Sequence, residues 1–135
     1  MLKLVMMVVA EPSLKQLVQR QLKSLDFDVV VATDAEAAIH ELETRKPHLV
    51  CIDLLSLPRD SGYEVCEFIR RTPRLFDVPI LVMSERASAA DRAYAEEAGA
   101  DGFLPKPFSL NQFNEQVRAL MAGDPLSMRR LRRIY

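Results

Sequence analysis

The sequence predicts an α/β fold: a five-stranded parallel sheet with helices on both faces, in one domain over residues 1–122. Three observations carry this. Apolar runs alternate with amphipathic runs five times along the chain. The first apolar run is nearly continuous, as in strands covered on both faces, whereas the amphipathic runs repeat at helical spacing. Five strands each followed by a helix call for a parallel sheet with a helical layer on either side.

The elements follow in order. Residues 3–9 form a Val-, Leu- and Met-rich run that reads as a buried strand. Leu14, Leu17, Val18, Leu22 and Leu25 then recur at helical spacing, with Pro12 and Ser13 in a position to start the helix. Residues 27–32 are the second strand. Thr33 and Glu36 have capping-box spacing ahead of Ala37, Ala38, Ile39 and Leu42. The third strand, residues 49–52, ends at Asp53, and Val65, Phe68 and Ile69 mark a helix over residues 63–71. Residues 79–83 are the fourth strand. Ser88 and Asp91 make a second capping box, and Gly99 stops that helix. Residues 101–104 are a short fifth strand. Ser109 caps a last helix carrying Leu110, Phe113, Val117, Leu120 and Met121, which Gly123 ends.

The totals narrow the class. A chain of 135 residues suits one compact core. Nearly half the residues are apolar, the net charge is −1, and no apolar run approaches the roughly 20 residues of a membrane span. The opening MLKLVMMVVA reads as a strand, because a polar helix-forming segment follows it without a clear cleavage pattern. Cys51 and Cys66 lie in apolar segments without a CxxC partner, as buried free thiols of a cytoplasmic protein do. His40 and His48 lack a second ligand at metal spacing. Residues 123–135 form a basic tail with Arg129, Arg130, Arg132 and Arg133. It reads first as a solvated end, and second as an amphipathic face for an acidic partner, a second subunit or an anionic surface. The narrow basic stretch argues against direct nucleic-acid binding.

In an open α/β sheet, ligands bind outside the carboxyl ends of the strands, near the point where strand order reverses. Ala10 and Glu11 follow the first strand, Asp53 the third, Ser84 the fourth, and Lys106 the fifth in LPKPF. A carboxylate, a hydroxyl and an ammonium from successive strand ends suit phosphoryl transfer. The carboxylate serves as nucleophile, the lysine offsets anionic charge and the hydroxyl donates to a phosphoryl oxygen. Each residue alone is weak evidence; the ordered set is stronger.

With EPSL, KPHLVCID, LPRDSGYEVC, VPILVMS and EAGADGFLPKPF in place, the chain closely resembles the receiver domain of two-component response regulators over residues 3–122. The resemblance implies a flavodoxin-like fold with strand order 2-1-3-4-5. It implies that Asp53 accepts phosphate from a histidine kinase or phosphotransfer protein. Ser84 and Lys106 are then the sensing hydroxyl and lysine, Phe103 is the switch aromatic, and the Lys106–Pro107 bond is cis. Output would pass through the face of the fourth helix, fifth strand and fifth helix to a downstream protein, with a homodimer also open. Enzymatic activity would at most be self-phosphorylation and dephosphorylation at Asp53.

Two departures bear on Mg²⁺. The family places two acids at the end of the first strand, where VVAEPS stands here. Aligned directly, Val9 and Ala10 occupy those positions; shifted by one, Ala10 and Glu11 do. Glu11 is thus the only local acid for a metal, beside Asp53 and the backbone carbonyl of Leu55. Pro58 stands five residues after Asp53 instead of four, so the loop carrying Leu55 is longer. Both departures weaken the same Mg²⁺ site. Glu11 reads more simply as an acid at a helix N-terminus. The functional expectation is a receiver phosphorylated on Asp53. The alternative is a pseudo-receiver, a phosphorylation-independent interaction module. A flavodoxin-like redox domain ranks low, because VVAEPSLK has no glycine-rich phosphate loop.

Overall fold

The computed structural model describes residues 2–54, 57 and 61–122. Five strands and five helices alternate in the predicted order. The strands are β1 (Leu4–Val8), β2 (Asp28–Ala32), β3 (Leu49–Asp53), β4 (Ile80–Ser84) and β5 (Gly102–Pro105). The helices are α1 (Pro12–Ser24), α2 (Ala35–Leu42), α3 (Ser61–Arg71), α4 (Ala89–Ala98) and α5 (Leu110–Ala122). The sheet is wholly parallel with order β2-β1-β3-β4-β5. Strand order therefore reverses between β1 and β3, and Asp53 ends one of the two strands at that point.

Side-chain alternation along the central strands builds two cores. Val5, Met7 and Val9 of the first strand region, with Leu49, Cys51, Leu81 and Met83, meet Val18 and Leu22 of α1 and Phe113, Val117 and Leu120 of α5. Met6, Val8, Val50, Ile52, Ile80 and Val82 face the other way, onto α2, α3 and α4. Burial on both faces explains the unbroken apolar runs of β1, β3 and β4. The two cysteines lie in opposite cores, both as buried free thiols. Burial pushes both thiols up, Cys66 to about 12, so neither is a reactive thiolate at neutral pH. Leu17, grouped by spacing with the core stripe of α1, is instead 45% exposed; the stripe is narrower than the leucine pattern suggests.

The caps at Ser88 and Ser109 form as expected. Ser88 and Asp91 bond reciprocally, and the Gln112 amide donates to Ser109 Oγ while Gln112 Oε1 accepts from the Ser109 amide. The Thr33 cap is corrected by one residue. Asp34 holds the N-cap, its carboxylate accepting from the Ala37 amide at 2.7 Å. Its charge also favours the positive end of the helix, which a threonine hydroxyl would do less well. Glu11 caps α1, accepting from the Ser13 and Leu14 amides at 2.9 and 2.7 Å, with Pro12 in the first turn.

The end of the sheet opposite Asp53 is tied by Arg70 of α3. Its guanidinium donates to the carbonyls of Phe76, Val78 and Gly99 and to the buried carboxylate of Asp101 at 2.6 Å. The same Asp101 oxygen accepts from the Ile80 amide. Gly99, the C-cap of α4, has φ +120°, and a Cβ there would lie 2.7 Å from Arg70 Cγ. This is the position where glycine is required on both counts.

Candidate functional site

The strand ends bring the polar residues to one place. Asp53 is the last residue of β3, with its side chain fully buried. Across the sheet it pairs with Met83, and Ser84 pairs with Pro105. Lys106 follows β5 directly, and its amide donates to the Ser84 carbonyl at 2.9 Å. These pairings leave the Lys106 side chain beside β3, where Nζ lies 2.8 Å from Asp53 Oδ1. The Lys106–Pro107 peptide bond is cis. Ser84 is buried next to them, its Oγ accepting from the Arg86 amide at 3.1 Å. That bond uses a lone pair; the hydroxyl proton is a separate donor. A buried carboxylate, an ammonium in contact with it and a hydroxyl on the adjoining strand thus come from β3, β5 and β4.

Phe103 lies three residues before Lys106, within β5, and packs against the core that faces α2, α3 and α4. The Arg92 guanidinium sits over its ring, 5.0 Å from the centroid, a cation–π contact that links α4 to β5. Tyr94 is more than half exposed and meets the edge of Tyr63 from α3 at 4.7 Å. Nothing local in the sequence announces the Arg92 contact. An arginine on a solvated helix face is ordinary, and only the packing of α4 against β5 gives it a ring.

The end of β1 decides what metal the site could hold. The parallel register runs from Val5 and Leu49 to Val8 and Ile52, so one further step brings Val9 alongside Asp53. Alternation puts both on the α1–α5 side of the sheet, and Val9 is fully buried in that core. Ala10 packs against the opposite core. The Glu11 carboxylate is occupied as the α1 cap. The Leu14 and Ser13 amides, with a smaller contribution from Lys106, hold its pKa below the usual carboxylate value. Leu55 and Pro58 lie outside the described residues, as does the tail 123–135 with Gly123. Among the described residues, no group of three or more His, Cys, Asp or Glu side chains could hold a metal ion. A hard divalent cation requires oxygen ligands. The end of β1 offers two aliphatic side chains and a committed cap, so the described residues do not fit an acid-lined Mg²⁺ site.

Comparison with known proteins accords with this architecture. Residues 5–118 match the response regulator receiver domain family. The chain is 36% identical to the alkaline phosphatase synthesis transcriptional regulatory protein PhoP of Bacillus subtilis, over 93% of this chain and 51% of that protein. It is 33% identical to the response regulator MprA of Mycolicibacterium vanbaalenii, over 87% and 49%. The chain thus spans about half the length of the curated relatives it matches. Among solved structures, a putative response regulator from Chloroflexus aurantiacus superposes with a TM-score of 0.84 at 24% identity, covering 90% of this chain and 99% of that one. The receiver domain of the sensor histidine kinase PA1611 from Pseudomonas aeruginosa, a structure with magnesium coordinated in its active site cleft, gives 0.81 at 23%, with the same coverage. These two show the shared fold. The chain belongs to the response regulator receiver domain family, the receiver module of two-component signalling. No helix among the described residues is long and apolar enough to cross a membrane.

Proposed function

We propose that Asp53 is the phosphoacceptor of this receiver and that its modification changes a protein-binding face formed by α4, β5 and α5. The observation that carries the reading is the 2.8 Å contact between the Lys106 ammonium and the buried Asp53 carboxylate at the point where strand order reverses. In the step proposed, an Asp53 carboxylate oxygen attacks the phosphorus of a phosphohistidine on a kinase or phosphotransfer protein. The P–N bond breaks, the departing imidazole nitrogen takes a proton, and an acyl phosphate forms on Asp53. Lys106, already bound to one carboxylate oxygen, stays beside the added charge, and the Ser84 hydroxyl turns its proton to a phosphoryl oxygen. Ser84 and Phe103 then carry the change towards α4. The downstream partner is a protein that reads this face, and the setting is the cytoplasm, where the two buried thiols stay reduced.

The test is incubation of the whole chain with acetyl phosphate or phosphoramidate, followed by intact-mass measurement. The expected result is a single phosphoryl adduct that Asp53→Asn abolishes. No adduct from either donor, with or without Mg²⁺, would overturn the reading and favour a phosphorylation-independent module.

A further inference from the structure

We propose that the Asp53 site operates without a divalent cation, because the end of β1 supplies no uncommitted carboxylate to hold one. The phosphorylation arm rests on the reading of Asp53 above; the binding arm does not. The buried Asp53 carboxylate already has the Lys106 ammonium 2.8 Å away. A dication placed beside them brings a charge imbalance that only further oxygen ligands, chiefly carboxylates, would offset. Carboxylates at the end of β1 would correct that imbalance, and this is the point at which the chain has none to give. Val9, which shares Asp53's face of the sheet, is sealed among Val5, Met7 and the α1–α5 side chains. Ala10 is turned to the opposite core. Glu11 could reach a metal only by releasing the Ser13 and Leu14 amides, uncapping α1. The β1 end is therefore built for packing and capping.

Titration of the whole chain with Mg²⁺, followed by amide NMR and by Mn²⁺ paramagnetic broadening, tests this without reference to activity. The expected outcome is no saturable change at residues 9–11 or 53–54 at millimolar ion. The double substitution Val9→Asp with Ala10→Asp should gain saturable binding, tighter than the natural chain by about tenfold or more. Ala10→Asp alone, on the opposite face from Asp53, should gain less. Saturable millimolar binding in the natural chain, from whatever donors, overturns the proposal even where the double variant fails to fold. In the second arm, the rate of Asp53 phosphorylation by acetyl phosphate is the same in EDTA as in Mg²⁺. Acceleration by Mg²⁺ of about tenfold or more overturns the proposal. Absence of any adduct in both conditions defeats the phosphoacceptor reading instead, and the binding titration still decides the metal question.

Discussion

Removing the Lys106 charge while keeping its length tests the electrostatic logic of the site. In Lys106→Met the Asp53 carboxylate stays in place, fully buried, without the ammonium now 2.8 Å away. At that separation and an effective dielectric constant of about 20, the attraction is about 6 kcal/mol before desolvation is counted. Part of this is returned because the lysine head, largely buried itself, no longer has to be dehydrated. The net loss expected on breaking a buried pair from one side is about 3–5 kcal/mol. Asp53→Asn removes the buried charge itself, so the double variant should regain part of that loss, with a coupling energy of about 2–3 kcal/mol in the cycle. Urea unfolding followed by far-ultraviolet circular dichroism reads all four proteins, the midpoints shifting at constant m-value. If Lys106→Met unfolds within about 1 kcal/mol of the natural chain and the two substitutions are additive, the pair does not balance the site and the reasoning fails.

Two further outcomes follow from the helix ends. Gly99→Ala forces a Cβ into a backbone at φ +120° and against Arg70 Cγ at 2.7 Å; the expected loss is about 1–3 kcal/mol in the same urea assay, and an unchanged midpoint would contradict it. Glu11, whose folded carboxyl is held below its ordinary 4.5 by the Leu14 and Ser13 amides, contributes stability that is present above that value and lost as pH falls through the folded pKa. Thermal unfolding of Glu11→Gln should therefore lie below the natural chain at neutral pH and converge with it in acid, whereas curves that stay parallel would refute the assignment.

Most of the fold was legible because burial writes itself into the sequence here. Strands covered on both faces carry polar residues here only at their ends, so β1, β3 and β4 stand out as apolar runs, and helices resting on them show a stripe. The contacts that were not legible connect residues far apart in the chain. Arg70 sits in an amphipathic helix like any surface arginine, and its carbonyl partners at Phe76, Val78 and Gly99 have no side-chain signature. Thr33 and Asp34 are both competent caps one residue apart, and spacing alone did not rank a carboxylate above a hydroxyl. Within the site, Asp53 and Lys106 were each marked by a strand end, but their contact depends on the β3-β4-β5 register. The question of Val9 or Glu11 at the end of β1 was open in the sequence. It needed the pairing with β3 and the two amides on Glu11 to answer.

The Arg70 knot has a mechanical consequence. By gripping Gly99 it pins the trailing end of α4, while the leading end carries the Ser88–Asp91 cap and the Arg92 contact with the Phe103 ring. Cutting the Arg70 grip would therefore loosen α4 at the end remote from Asp53 and leave its Arg92–Phe103 contact in place.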